Sequence, residues 1–409
     1  MKTRALMIGI ALVTVAGSAP ARAQAAPAAT VRVSVATGGA QANGPSTPVA
    51  VTPNGRFVLF DSTATNLVLG DTNGRADVFV HDRRSGRTTR VSLGAGGRQA
   101  NGASVGQSIT PDGRFVVFIS AATDLTMAAD TNAEPDVFVR DRARGTTSRV
   151  SVPPGGGQFH DGGFGGLAGG QISANGRVVA FGEYVPLRPT GCCAGERTFV
   201  RDRRTGATRR IDAGIPFVLP VAISANGQYV VATKQDVDQN SIGIVLRNRV
   251  TGRTRQVPLP GLGPLAGLVM DPDAHYMAFA VLNGAATGWD VLRWNRVTGR
   301  FRPVIQNDAA TNVQGGISAS GRYVTFCSDD PALVAGDTNA HTDVFQRDLA
   351  AAVTIRVDLT AAGGQIPAGA CGGLLSGDGA LVVFDSRGRG VVAADTNGVT
   401  DVFTRAPLP

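Results

Sequence analysis

Four short runs in this chain carry side-chain oxygens at spacings that could hold a hard cation. They place Asp71, Asn73 and Asp77; Asp130, Asn132 and Asp136; Asp337, Asn339 and Asp343; and Asp395, Asn397 and Asp401 at the first, third and seventh positions of a loop. Calcium takes about six to eight oxygen ligands, and oxygens at the first and third positions with a carbonyl between them are how an EF-hand-type loop begins to wrap its ion. With two carboxylates per loop the expected affinity is weak, of the kind found in extracellular modules. A metal-free account competes with this one. Asp and Asn close Asx turns by themselves, and the Asp at the seventh position can cap amides of the same turn. Ca²⁺ is the one cofactor to which the sequence points.

Other chemistry is thin. There is no His-Glu-x-x-His pair, no Gly-x-Ser-x-Gly elbow and no phosphate-cradling glycine loop. Of the 4 His, His81 aligns with Arg140, Arg201 and Arg347 of related segments and His275 aligns with Arg114, positions that read as exposed hairpin sites. His341 falls in a variable slot of one Asp/Asn loop. His160, followed by Asp161 in the glycine-rich stretch 155–170, is the histidine worth testing as a base. Trp294 replaces the Arg of the His81 slot, so it reads as an exposed ring able to stack on a sugar, with Trp289 on the same strand. No acid, base or histidine cluster recurs across the related segments, which favours binding over catalysis.

These residues hang on a repeated scaffold. A turn followed by an apolar strand begins at Thr52 and recurs from Thr110, with copies centred on Gly176, Gly227, Ala274, Gly321 and Gly379. Asn-Gly and Asp-Gly supply the positive φ of a tight hairpin, so each copy joins two antiparallel strands. A second hairpin follows in each unit, as in residues 77–91 and 136–150. Each unit therefore holds four short strands, labelled A (innermost) to D (outermost). The A strands, such as 106–110 and 169–173, are rich in Gly, Ser and Ala, as strands converging on a crowded axis require. Most of the 17 Phe lie on strands B and C, where they pack between blades. The fold class is all-β, a seven-bladed β-propeller. The seventh unit lacks strand D, and residues 30–36 supply it, because Thr30, Arg32, Val33 and Ser34 match Thr89 to Ser92 in pattern and the same Gln-Ala-Asn-Gly follows both. Such closure hides a sheet edge.

The Pro-Asp-Gly-Arg-Phe-Val-x-Phe element and the Asp-Val-Phe-x-x-Asp hairpin resemble the WD-repeat-like blades of TolB-type periplasmic propellers, over residues 31–405. That resemblance implies an exported propeller that engages envelope proteins. The family sets an α/β domain ahead of a six-bladed ring, whereas seven units and no helical domain are found here.

Residues 1–23 read as a secretory signal peptide: Lys2 and Arg4, an apolar run from Ala5, and Ala21 and Ala23 as a small-x-small cleavage site. The mature domain is then 24–409, periplasmic or secreted, with no membrane span and expected as a monomer. Cleavage removes three basic residues from a chain of 39 basic and 31 acidic ones, leaving a mild positive excess scattered along the repeats as Arg. No nucleic-acid footprint is read from it. The 4 Cys allow three pairings; Cys327 and Cys371 fall on one loop face in neighbouring blades and are expected to join, leaving Cys192 and Cys193 as a vicinal pair. The Asp/Asn loops belong to blades six, seven, one and two, contiguous around the closed ring. With Gln41, Gln99 and Gln365 in the adjoining D-to-A loops they form one polar arc, the preferred binding surface. An envelope protein or a glycan is the expected partner; a polysaccharide lyase or hydrolase acting at the same face is the alternative.

Overall fold

A computed structural model describes residues 29–406 apart from 129, 133, 160–166, 187–193, 213–217, 236–240, 260–264, 283–287 and 309–314. Small, alternating strands joined by Gly-containing hairpins build seven antiparallel sheets in sequence order. Blade one is Ser46–Val51, Phe57–Ser62, Asp77–Asp82 and Arg87–Arg90. Six sheets have four strands. In blade six three strands are defined, and an isolated bridge from Ile317 to Val324 stands where strand A runs.

Each unit starts with the same local device. The Thr52 hydroxyl accepts the Phe57 N–H at 3.0 Å, and Asn54 Oδ1 accepts the Arg56 N–H at 3.0 Å, across a turn whose Gly55 has φ 67°. Thr110, Ser173, Ser224, Ser318 and Ser376 repeat the hydroxyl contact. In blade five Asp271 takes that role, and Ala274 adopts a φ of 55° without the freedom of glycine. Strand A then bulges at one recurrent place, between Pro48 and Ala50 and between Gly106 and Ser108, which bends the innermost strand toward the axis.

The core lies within and between blades. Phe60 stacks on Phe79, Phe118 on Phe138, Phe326 on Phe345 and Phe384 on Phe403, with centroids 5.6 to 5.8 Å apart, and all eight rings are buried. These phenylalanines pack as their strand positions predict.

The ring closes through the N-terminal strand. Val31 pairs with Thr404 and Arg32 with Phe403, antiparallel, as strand D of blade seven. Cys327 and Cys371 form a disulfide with Cα atoms 5.7 Å apart, tying strand B of blade six to strand A of blade seven. Closing a loop of 44 residues of separation removes about 4 kcal/mol of unfolded-chain entropy. Cys192 and Cys193, and the proposed signal peptide, lie outside the described residues. Among the described residues no helix is long and apolar enough to cross a membrane.

Candidate functional site

On the loop face, each Asp/Asn run is closed by an arginine. In blade one Arg90 of strand D lies 3.0 Å from Asp77 and 3.7 Å from Asp71, with both carboxylates and the guanidinium almost wholly buried. The Ser92 hydroxyl donates to Asp77 Oδ1 at 2.5 Å, and Gln99 Nε2 donates to Asp71 Oδ1 at 2.8 Å. Asn73 spends its oxygen on the Arg75 N–H and its amide on the Ala100 carbonyl. Blade two repeats the arrangement with Arg149 between Asp130 and Asp136, and Gln158 takes the part of Gln99. Blade six uses Arg356 with Asp337 and Asp343; blade seven uses Arg32 from the N-terminal strand with Asp395 and Asp401.

The twelve oxygen-bearing residues thus come together in four clusters as the spacing predicts, but a guanidinium stands between the two carboxylates of each. A calcium ion at about 2.4 Å from its ligands would have to displace that arginine and break the Asx turn of the central Asn. The residues as arranged fit an arginine clasp, not a cation cage.

Blade six varies the theme. Asp358 stands where Ser92 stands in blade one, fully buried, and accepts the Val344 N–H at 2.9 Å. Burial, then hydrogen bonding to Asp343, pushes its carboxyl well above the usual carboxylate range. Protonated, it can donate to Asp343 as the serine does to Asp77.

A cleft of about 480 Å³ opens between blades six, seven and one, lined by His341, Asp385, Arg387, Thr47 and Thr400. Arg387 donates to the Thr400 hydroxyl at 3.0 Å, and the Ala370 N–H donates to the Thr342 carbonyl at 2.8 Å, joining two loops of the wall. Asp385 is half-buried, and burial raises its carboxyl to about 6. Asp61 occupies the same strand-B position in blade one, where burial outweighs one hydrogen bond and raises it to about 7. That bond comes from the Gly106 N–H at 2.8 Å, and a Cβ on Gly106 would sit 3.0 Å from the same oxygen.

A pH prediction follows from Asp61. Its folded carboxyl titrates near 7 against 3.8 unfolded, so between those values the folded state binds the extra proton and stability falls as pH rises. Asp61→Asn keeps the acceptor for Gly106 and removes the charge. The variant is expected to gain about 2 kcal/mol at pH 8, after allowance for solvent screening, and little at pH 4. Equal melting temperatures of variant and parent at pH 8 would refute the assignment.

Two expectations are corrected. His81 is buried, not exposed: its Nδ1 lies 2.9 Å from the Thr88 hydroxyl, and the Thr37 loop of the preceding blade crosses over that strand. Burial, then Arg83, lowers its pKa, which makes it a neutral packing residue. Trp294 is also fully buried, with the Arg255 guanidinium 4.9 Å from its ring centroid. This slot of strand C faces the neighbouring blade, where Arg140 likewise is buried and bonds Thr147. No sugar can stack on Trp294. His275 is exposed as expected, His341 is exposed in its loop, and His160 lies outside the described residues.

The clasp arginines Arg32, Arg90, Arg149 and Arg356, and Gln158, were not recognised from sequence. A signal was there: Arg90 follows Asp77 by 13 residues, and Arg149 and Arg356 keep that offset from Asp136 and Asp343. A further acidic group, Asp271, Asp273 and His275, could offer ligands to a metal. It sits in the first hairpin of blade five, where Asp271 already accepts the Tyr276 and Asp273 N–H groups.

Fold and site together define a closed seven-bladed β-propeller with a cleft on its loop face. No family model and no curated protein sequence matches the chain. Among solved structures it is similar to an oligogalacturonate lyase from Vibrio parahaemolyticus, 12% identical with TM-score 0.59 over 93% of this chain and 97% of that one. An oligogalacturonate lyase in complex with manganese is 12% identical with TM-score 0.58, covering 93% of each chain. TolB from Acinetobacter baumannii is 13% identical with TM-score 0.44 over 76% of this chain and 63% of that one. At these identities the likeness is one of β-propeller fold.

Proposed function

We propose that the chain is an exported, monomeric binding module that holds a glycan or an envelope protein in the cleft between blades six, seven and one without transforming it. The cleft lined by His341, Asp385 and Arg387 carries this reading. It is a concave polar site on clasped, rigid loops, where a ligand gains most from preorganisation. The calcium first expected of the four loops has no part in it. A second reading, a lyase or hydrolase at the same cleft, is favoured by one observation: a carboxyl raised to about 6, Asp385, shares the cleft with a histidine.

Glycan-array and envelope-extract capture with the mature protein test both. The binding module retains a ligand unchanged, and Arg387→Ala combined with His341→Ala abolishes retention. Shortened glycan in the eluate, lost in Asp385→Asn, would establish the enzyme instead. Retention that survives the double variant would remove the cleft from either account.

A further inference from the structure

The face opposite the Asp/Asn loops carries the first hairpins near the axis and the C-to-D hairpins at the rim. Its charge is mainly positive, although the first hairpins also expose Asp112, Asp273 and Asp378. The Asp that opens the C-to-D hairpin in blades one to three is paired with an arginine of its own blade: Asp82 with Arg56, Asp141 with Arg114 and Asp202 with Arg177, at 2.6 to 2.8 Å. In blades four and five Asn248 and Asn295 stand in place of the acid and close the turn through the N–H groups of Val250 and Val297. Most of the remaining exposed charge is arginine, with Arg144 4.0 Å from Asp141. Arg84, Arg87, Arg144, Arg204, Arg253 and Arg300 are exposed on these hairpins.

Between the blades the clefts hold further guanidinium groups whose shortest hydrogen bonds go to carbonyls, with Asp82 and Asp112 also lining the cleft of blades one and two. Arg142 bonds the Gly113 carbonyl at 2.6 Å and covers the Phe57 ring of the preceding blade at 5.3 Å; Arg296 bonds the Ala274 carbonyl at 2.6 Å and covers Tyr229 at 4.4 Å. The cleft between blades one and two measures about 610 Å³, and that between blades four and five about 340 Å³. Arginines outnumber carboxylates in the first cleft, and the second is lined by Arg253, Arg255 and Arg296 with no carboxylate.

We infer that this arginine face binds an acidic polysaccharide, taking carboxylate-bearing sugars into the clefts between blades. Three features select this partner. Planar guanidinium forks match carboxylates in two-point contacts. The cleft of blades four and five adds the hydroxyls of Thr251 and Thr254 and the amide of Asn248, partners for sugar hydroxyls. The large apolar side chains exposed on these hairpins, among the described residues, are single valines, Val250, Val297 and Val353, too small to anchor a bilayer, and the Phe57 and Tyr229 rings are covered by arginines and so closed to base stacking. The surface lies opposite the loop-face cleft, so it stands independently of the function proposed for that cleft.

Polygalacturonate is the probe, with dextran as the neutral control and anionic phospholipid vesicles and duplex DNA as competing polyanions. The mature protein should bind polygalacturonate and not dextran, with affinity falling about tenfold or more between roughly 50 and 200 mM salt. Arg84→Gln, Arg87→Gln and Arg144→Gln together, all at exposed positions, should weaken binding at least about tenfold with an unchanged melting temperature, and His341→Ala should leave it intact. No binding at low salt, binding indifferent to the triple variant, or preference for vesicles or DNA over polygalacturonate would overturn the assignment.

Discussion

Deleting residues 24–37 is expected to destabilise this protein more than any single substitution, because the deleted segment closes the ring. Val33 donates its N–H to the Val402 carbonyl at 2.8 Å, and the Ser34 hydroxyl reaches the buried Asp401 at 2.6 Å. Arg32 supplies the only guanidinium seen, among the described residues, against Asp395 and Asp401. Without the strand two buried carboxylates lose their counter-ion and the edge of residues 401–405 is bared, a combined cost above about 5 kcal/mol, comparable to the whole stability of many domains. Thermal unfolding of the truncated and parent proteins checks this. Should the truncation fail to fold, Arg32→Ala isolates the electrostatic part, with an expected loss of about 3 kcal/mol. Unaltered unfolding of Arg32→Ala would show that the N-terminal strand is not what neutralises blade seven.

The second large effect is expected of the clasps that hold the loop face. Arg90→Ala leaves Asp71 and Asp77 buried without a cation, and removing one partner of a buried ion pair costs about 3–5 kcal/mol. Asp71→Asn should cost less, since Asp77 keeps the closer contact at 3.0 Å and an amide still accepts from Gln99. Thermal unfolding also decides between guanidinium and calcium. Millimolar calcium and a chelator should give one melting temperature, because the arginine already occupies the space between the carboxylates. A ligand bound only to the folded state would add RT ln(1 + [L]/Kd), about 2 kcal/mol at tens of times its Kd. A calcium-dependent rise of that size, abolished when Asp71, Asp130, Asp337 and Asp395 are replaced by Asn, would restore the metal site.

Blade number, strand count and ring closure were legible because they depend on local chemistry that repeats. Asn54-Gly55 and its copies at Asn175-Gly176 and Asn226-Gly227 turn one strand into the next, small residues mark the innermost strands, and the likeness of 30–36 to 89–92 reveals which strand is missing. The Cys327–Cys371 bond was legible by the same route, since the unit places both at one height in adjacent blades. What the repeat could not convey is which side of a strand meets the next blade. His81 and Trp294 sit in a slot that the polar residues of its other copies make look exposed, yet it is covered by a neighbour about forty residues away in the chain.

The Asp/Asn loops show the same division at the site itself. Sequence alone determined that Asp71, Asn73 and Asp77 converge in a turn and that three more blades copy it. Only the tertiary structure decided what stands between them. The arginine arrives from strand D, or from the opposite end of the chain in blade seven, and a buried carboxylate pair takes whichever cation the packing brings within about 3 Å. A one-dimensional motif records the oxygens. It carries no record of the guanidinium that the folded blade folds in among them, because that contact is set by strand pairing across the sheet.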